Sequence, residues 1–201
     1  MMRIIAGTAR RKQLATLAGE DVTRPTSERV KEGVFSAIQF DIEGRRVLDL
    51  FAGTGQMALE ALSRGAQYAV MIDESTDAFD IIRQNAQTTG LAKLCRVSRM
   101  DYSDYLKSAA LKGEKFDLIF LDPPYAKNVK DEVLKKVTRA GILNPGCIVV
   151  CESDKDLFEE GEEAYGLTFR RKYRYGKTFV TMLEAPSAEE DIESILKGDN
   201  A

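Results

Sequence analysis

Short apolar runs alternate with longer amphipathic stretches along most of this chain. The amphipathic stretches repeat their apolar residues at helical spacing, whereas the short runs have the length of strands. Five such strands alternate with helices between residues 47 and 151, and this order predicts an α/β fold with a parallel sheet. Residues 168–173 and 178–183, joined through Tyr175-Gly176-Lys177, then predict a closing antiparallel pair.

The two ends of the chain have a different pattern. Residues 4–17 predict a small hairpin, and residues 27–38 predict a helix with Ser27 as its N-cap. Near the other end, Ser187-Ala188-Glu189-Glu190 resembles a capping box, which predicts a short or frayed helix. We therefore expect an N-terminal extension over residues 1–40, a main domain over 41–184 and a tail over 185–201.

The tetrapeptide Asp122-Pro123-Pro124-Tyr125 directly follows the apolar run at 116–121. Its prolines fix φ and lack amide donors, so the segment offers the Asp122 carboxylate and the Pro123 carbonyl as acceptors beside the Tyr125 ring. These groups suit the exocyclic amine of a nucleobase. Asp-Pro pairs also form ordinary turns at strand ends, and the tetrapeptide alone does not decide between the two interpretations.

A second motif is the glycine turn Gly53-Thr54-Gly55, which lies between an apolar strand and a helical pattern. Glycine lets the backbone approach a ligand, and the amides that open a helix attract negative charge. The turn loosely fits the dinucleotide-binding pattern, but the Asp49 carboxylate would lie poorly beside a pyrophosphate. It could accept from an ammonium group, and S-adenosylmethionine has an α-ammonium and no phosphate.

Carboxylates stand at the ends of four predicted strands, at Asp49, Asp73, Asp101 and Asp122. Ligands of open parallel sheets lie outside the carboxyl ends of the strands, so these acids would line one crevice. There Asp73 could accept from ribose hydroxyls and Asp101 from an adenine amine. A single strand-end aspartate is more often a helix cap or a turn residue, and only the agreement of all four favours a cofactor site.

The charges are segregated along the chain, although the net charge is only −3. Residues 1–31 hold seven basic and three acidic groups, a local charge of +4, and residues 170–177 hold five basic groups. Residues 184–201 instead carry six acids and one lysine. The basic segments could contact RNA phosphates, although a run of charges can also merely solvate a face.

Composition excludes several classes of protein. No apolar run approaches 18 residues and the start of the chain soon turns polar, so we expect neither a membrane span nor a secretory signal. Three cysteines give no disulfide framework, and Cys147 and Cys151 share one face of a strand, where buried hydrophobes are commoner than metal ligands. These features predict a cytoplasmic protein that binds no metal.

The chain resembles the bacterial methyltransferases that modify the N2 amine of a guanine in small-subunit (16S) ribosomal RNA. Its most specific block is Arg24-Pro25-Thr26-Ser27-Glu28-Arg29-Val30-Lys31-Glu32, similar to the family signature R-P-T-x-x-R-V-[KR]-E. Residues 50–55, 59–66, 122–125 and 175–178 also match, and the resemblance covers residues 3–183. The chain departs from the family at 56–58, at Arg11, where glycine is common, and at Gly33, which interrupts a predicted helix.

The resemblance implies the S-adenosylmethionine-dependent methyltransferase (Rossmann-like) fold, with a mostly parallel seven-stranded sheet and a reversed last strand. The expected cofactor, S-adenosylmethionine, would bind in the main domain through Asp49, Phe51, Gly53, Gly55, Asp73 and Asp101. The expected catalytic residues are Asp122, Pro123 and Tyr125.

The expected partner is small-subunit ribosomal RNA, alone or within a particle, bound by a monomer. The N-terminal extension would contact this RNA through Arg10, Arg11, Arg24 and Arg29. Arg24 could instead bind the carboxylate of the cofactor.

Three other functions stay open on the sequence. A methyltransferase for DNA adenine N6 or a glutamine amide would use similar acceptors, usually with Asn at the position of Asp122. A dinucleotide-dependent dehydrogenase is disfavoured by Asp49 and by the proline tetrapeptide. A non-enzymatic ribosome-assembly factor would bind RNA without transferring a methyl group.

Overall fold

The computed structural model describes residues 2–17, 25–123, 129–156, 158 and 163–188. Within these residues the helices are α1 Pro25–Ala37, α2 Gln56–Ser63, α3 Thr76–Thr89, α4 Tyr102–Leu111 and α5 Val129–Arg139, with a 3-10 turn at Ala92–Leu94. The strands are β1 Arg46–Asp49, β2 Tyr68–Asp73, β3 Cys95–Arg99, β4 Phe116–Leu121, β5 Leu143–Ser153, β6 Glu163–Ala164, β7 Leu167–Tyr175 and β8 Thr178–Glu184. The predicted alternation of strands and helices between residues 47 and 151 is confirmed.

All of these strands belong to one sheet, in the order β3-β2-β1-β4-β5-β8-β7-β6. The first five are parallel, and β8 is inserted antiparallel between β5 and β7. The predicted fold class, with its reversed last strand, is therefore confirmed. The sheet gains an eighth strand because the short β6 folds back onto β7 through Tyr165 (φ 56) and Gly166 (φ 82), a two-residue turn with positive φ at both positions.

The core fills both faces of the sheet. One cluster joins β1, β2 and β4 to α1, α2 and α3, and the other joins the same strands to α4 and α5. Central parallel strands are buried on both faces, which is why their sequences are continuous apolar runs. Cys147 and Cys151 of β5 are both buried in the second cluster, as their spacing predicts.

The N-terminal segment packs against this core as an irregular hairpin. An antiparallel bridge joins Arg3 to Gln13, and Ile4, Ala9 and Leu14 are buried in the first cluster. The hairpin prediction is confirmed, with one bridge rather than two regular strands. None of the helices in the described part of the chain is long and apolar enough to cross a membrane.

Helix α1 starts earlier than the sequence predicted, and its packing explains the glycine within it. It begins at Pro25, so Ser27 lies inside the first turn and is not the N-cap; proline is favoured at the first helical position because no intrahelical partner is lost there. Gly33 lies against Tyr175 of β7, and a Cβ at Gly33 would be 1.7 Å from the tyrosine oxygen. The glycine that interrupts the helical pattern therefore allows α1 to approach the sheet.

Candidate active site

The loop between β1 and α2 lies at the carboxyl edge of the sheet. The Leu50 amide donates to the Phe120 carbonyl at 3.2 Å, and the Ala52 amide donates to the Ile72 carbonyl at 2.9 Å. These bonds fix the loop between β4 and β2, the two strands that flank β1. The glycine turn therefore opens onto the ends of three neighbouring strands.

The two glycines of this turn have left-handed backbone. Gly53 has φ 54 and Gly55 has φ 77, a region that side chains rarely tolerate. A Cβ at Gly55 would also be 3.1 Å from the Met71 sulfur. The turn can thus bring the first amides of α2 close to the crevice, where they favour a negatively charged group.

Asp49 is the buried acid of this edge. It is 4% exposed, and its Oδ2 has no hydrogen-bond partner among the described residues. Burial raises the pKa of Asp49 to about 7; backbone hydrogen bonds from Ala58 and Phe51 oppose the rise, and the charges of Asp122 and Asp73 add to it. Asp73 and Asp122 therefore lie close enough to Asp49 for their charges to affect its ionisation. The Oδ2 of Asp49 is left as an acceptor that suits a cation.

Asp73 and Asp101 also bind backbone amides. Asp73, at the end of β2, accepts from the Gly53 amide at 2.9 Å and from the Ser75 amide at 3.0 Å. Asp101 is exposed and caps α4, where its Oδ1 accepts from the amides of Ser103 and Asp104 at 2.8 and 3.2 Å. Asp101 thus has the capping role that is the commoner one for such residues, and its contact with a cofactor stays a prediction.

Phe51 is paired with an aromatic residue that the sequence did not single out. Its ring centroid is 5.2 Å from that of Tyr102, which directly follows Asp101, and the Lys136 ammonium lies 5.1 Å from the Tyr102 ring. The two rings connect the glycine turn to the end of β3. The only sequence signal for Tyr102 is its position after a strand-end acid.

The predicted amine-binding segment follows β4, next to β1. Asp122 is exposed, whereas Pro123 is buried. Pro124 and Tyr125 lie outside the described residues, as does Arg24. The predicted roles of Tyr125 and Arg24 therefore stay predictions.

Asn85 of α3 ties the N-terminal segment to the glycine turn. Its Nδ2 donates to the Thr54 carbonyl at 2.9 Å and to the Ala15 carbonyl at 3.1 Å, and its Oδ1 accepts from the Ala15 amide at 2.7 Å. The side chain is buried. Sequence reasoning missed this residue, because a polar position in an amphipathic helix gives no sign of a distant backbone partner.

Glu60 of α2 makes a second connection to the same segment. It is fully buried and accepts from the amides of Ile5 and Ala6 at 2.7 and 3.0 Å. Lys31 lies 3.7 Å away and donates to the Arg3 carbonyl at 2.6 Å; burial lowers the pKa of this lysine, against the attraction of Glu60. The signal in the sequence is a glutamate within the apolar pattern of α2.

Three of the predicted RNA-binding arginines, Arg10, Arg11 and Arg29, are exposed. Arg11 has φ 69, in the left-handed region that favours glycine. This backbone accounts for the glycine expected at the position from the resemblance. Arg11 thus retains a charged side chain where the local backbone disfavours any side chain.

The strand order, the reversed β8 and the glycine turn at the carboxyl edge together define the fold of S-adenosylmethionine-dependent methyltransferases. Residues 2–184 match the model of the family described as conserved hypothetical protein 95, and the chain belongs to this family.

Two relatives carry names that agree with the resemblance described above. The chain is 36% identical over 181 residues to "Putative rRNA methyltransferase YlbH" of Bacillus subtilis, covering 90% of this chain and 97% of that protein. It is 32% identical to "Ribosomal RNA small subunit methyltransferase D" of Haemophilus influenzae, covering 77% of this chain and 80% of that protein. The predicted family membership is confirmed.

Solved structures show the same fold. "Putative methyltransferase yhhF" from Escherichia coli superposes with a TM-score of 0.79 at 27% identity, covering 92% of this chain and 98% of that one. An RNA methyltransferase from Salinibacter ruber in complex with S-adenosyl-L-homocysteine has a TM-score of 0.60 at 20% identity, with 81% and 94% of the two chains covered. The second likeness bears on the fold alone.

Proposed function

We propose that this protein transfers a methyl group from S-adenosylmethionine to the N2 amine of a guanine in small-subunit ribosomal RNA. The observation that carries the proposal is that two acids lie at the ends of neighbouring strands. The Oδ2 of Asp49, at the end of β1, is a buried acceptor without a partner among the described residues, and Asp122 lies exposed after β4, close enough to raise the pKa of Asp49. One acid suits a bound cation, and the other is accessible to a substrate amine.

The residues of the glycine turn fit the chemistry of this cofactor, which supplies an electrophilic methyl group on a sulfonium centre. Asp49 would accept from the α-ammonium, and the opening amides of α2 would favour the α-carboxylate. Asp73 would accept from the ribose hydroxyls and Asp101 from the adenine amine, with Phe51 beside them. The left-handed backbone of Gly53 and Gly55 would permit the close approach of the ligand.

Asp122 and Pro123 would act mainly by orientation. The N2 amine of guanine is a poor nucleophile because its lone pair is delocalised into the ring. If the Asp122 carboxylate and the Pro123 carbonyl accept from its two N–H groups, the lone pair can be directed at the methyl group, which is catalysis by positioning and charge placement. The chain has no histidine, so the released proton would pass to Asp122 or to water.

The target base would have to leave its stack in the RNA. Extrusion costs on the order of a few kcal/mol, and stacking on Tyr125 together with phosphate contacts would offset it. Arg10, Arg11 and Arg29 would supply such contacts from the N-terminal segment. Arg24 would either join them or bind the cofactor carboxylate.

Ribosomal RNA as the substrate is supported by family membership and by the names of both relatives. Guanine N2 as the target rests on the sequence resemblance and on the aspartate at position 122. Methyltransferases acting on DNA adenine or glutamine usually have Asn there.

A transfer assay tests the substrate class. Labelled S-adenosylmethionine is incubated with unmodified small-subunit particles, large-subunit particles, free ribosomal RNA or duplex DNA, and with the Asp122→Ala variant as the control. We expect label in small-subunit RNA, none in DNA, and none with the variant, although the variant binds the cofactor as tightly as the wild type. Label in DNA or protein, or equal turnover by the variant, would contradict the proposal.

A further inference from the structure

The turn between β7 and β8 lies at the same edge of the sheet as the candidate active site. Strands β5 and β7 are both antiparallel to β8 and therefore run in the same direction. Ser153, at the end of β5, pairs with Phe179, and Tyr175, at the end of β7, pairs with Thr178. Because β8 is two strands from β4, this turn lies roughly 10 Å along the edge from the strand that carries Asp122.

The cofactor acids lie on the other side of Asp122. In the sheet order, the strands that end near Asp101, Asp73 and Asp49 precede β4, whereas β5, β8 and β7 follow it. A nucleic acid whose target base reaches Asp122 and that also contacts the N-terminal arginines can therefore continue along this edge, away from the cofactor. The end of β5 and the turn between β7 and β8 are the surface next along this edge.

The five cations of residues 170–177 divide into two sets. Arg170 pairs with Asp41 at 2.8 Å and lies 3.8 Å from Glu184, and Lys172 pairs with Asp156 at 2.6 Å. The other three are exposed and have no carboxylate within 4.0 Å among the described residues: Arg171, Arg174 and Lys177. Arg174 and Lys177 lie at the turn between β7 and β8, at the edge that carries the site, whereas Arg171 pairs with Met182 further back along β7 and lies on the opposite face from Arg174.

Two of these cations are held in place by contacts that leave donors available. The Arg174 Nε donates to the Gly176 carbonyl at 3.1 Å, and its guanidinium lies 5.3 Å from the centre of the Phe179 ring. The Arg171 Nη1 donates to the Tyr173 hydroxyl at 3.1 Å. A guanidinium has five N–H donors in a planar fork that matches the oxygens of a phosphate, so both side chains can still bind one.

We propose that Arg174 and Lys177, at the turn between β7 and β8, form a second phosphate-contacting surface, which holds the RNA on the side of Asp122 opposite the cofactor. This inference rests on the proposed function and adds a contact region separate from the N-terminal arginines. Tyr173 and Tyr175 pack against the first core cluster, and Tyr175 also lies against Gly33 of α1. The surface is therefore built on the packed end of the sheet.

Charged side chains on an edge strand can instead serve to block pairing with other chains. In that case the charges of β7 would be needed to keep the protein monomeric, and they would contribute nothing specific to RNA affinity. The two roles predict different behaviour for the same variant.

The test compares two double variants with the same loss of charge. One carries Arg174→Ala and Lys177→Ala; the control carries Lys93→Ala and Lys112→Ala, two exposed lysines of the 3-10 turn and of the position directly after α4. Affinity for small-subunit ribosomal RNA is measured against salt concentration, and cofactor affinity by calorimetry. We expect the slope of log K against log salt to fall by about 0.7 to 0.9 for each lost contact in the first variant only, with cofactor affinity unchanged.

Equal slopes and affinities in the two double variants would overturn the inference. If the first variant aggregates, Arg174→Gln with Lys177→Gln, which keeps polar side chains at both positions, carries the same test, and an unchanged slope there would also overturn it. Wild-type protein that methylates no ribosomal RNA would refute the proposed function instead, so the two failures are distinguishable.

Discussion

At the scale of single residues, Asp49 combines a binding role with a cost in stability. Its pKa is raised from 3.8 to about 7 in the folded protein, chiefly by burial. The folded state therefore binds this proton more tightly than the unfolded chain does. Ionisation of Asp49 destabilises the fold, and the cost is absent below about pH 4 and complete above about pH 7.

We therefore expect Asp49→Asn to stabilise the cofactor-free protein at pH 8 and to have little effect at pH 4. The pKa difference of about three units corresponds to a gain of up to about 4 kcal/mol. The same variant should bind S-adenosylmethionine more weakly, because the acceptor for its ammonium loses its charge. Urea unfolding from pH 4 to pH 8 measures the first effect and calorimetry the second. A difference in unfolding free energy that is independent of pH would contradict this account of Asp49.

The sequence identified Asp49 as a candidate because a carboxylate beside a glycine turn is unusual in a dinucleotide site. Its burial, and an oxygen that has no partner in the described part of the chain, could not be predicted, because both depend on how β2 and β4 close around it. The role of Gly33 could not be predicted for the same reason. It breaks a helical pattern, and the reason is Tyr175, which is distant along the chain and adjacent in the fold.

At the scale of elements, the N-terminal hairpin is attached to the cofactor side of the domain. Asn85 joins it to the carbonyl of Thr54 in the glycine turn, and Glu60 joins it to α2 directly after that turn. A segment proposed to contact RNA is therefore bonded to the loop proposed to contact the cofactor.

Asn85→Ala should destabilise the protein by about 2 to 4 kcal/mol, because it leaves the amide and carbonyl of Ala15 and the carbonyl of Thr54 without this partner. We also expect weaker cofactor binding, since the glycine turn loses a support. Urea unfolding and calorimetry measure the two effects. Gln84→Ala, at an exposed position of the same helix, is the control and should change neither. An Asn85→Ala variant with wild-type stability would show that this bridge is unimportant.

Most elements could be predicted because their signals are local. The five parallel strands, the closing pair and the hairpin each have a pattern within a few consecutive residues. The start of α1 was predicted two residues late, because Pro25 was not recognised as the first helical position. Strand β6 was missed because two residues carry no periodicity and its pairing depends on the turn at Tyr165 and Gly166.

At the scale of the whole molecule, charge distribution matters more than net charge. The chain carries −3 overall, yet exposed arginines lie on the N-terminal segment and on the end of the sheet beyond Asp122. Segregated charge allows an acidic protein to bind a polyanion. The segregation could be predicted from the sequence. Which of the cations are neutralised by ion pairs could not, because Asp41 and Asp156 reach β7 only through the fold.

Arg11 gives a direct test of the N-terminal contact. Arg11→Gly removes the charge and suits the left-handed backbone, so we expect a protein at least as stable as the wild type with weaker RNA binding. Combined with Arg10→Ala, it should lower the salt slope of RNA binding by about 0.7 to 0.9 per lost phosphate contact. Filter binding across a salt series, with thermal unfolding as the control for folding, measures both. An unchanged slope would exclude this pair as phosphate ligands.

The central claim is that the methyl group is attached to N2 of a guanine in small-subunit ribosomal RNA. Its most direct test is mass spectrometry of nucleosides, after unmodified small-subunit particles have been incubated with the protein and S-adenosylmethionine and their RNA digested completely. The account predicts N2-methylguanosine as the one new nucleoside, and its absence when Asp122→Ala replaces the wild type. A methyl group on another atom or another base, or the same product from the variant, would contradict the assignment of Asp122 as the group that holds the guanine amine.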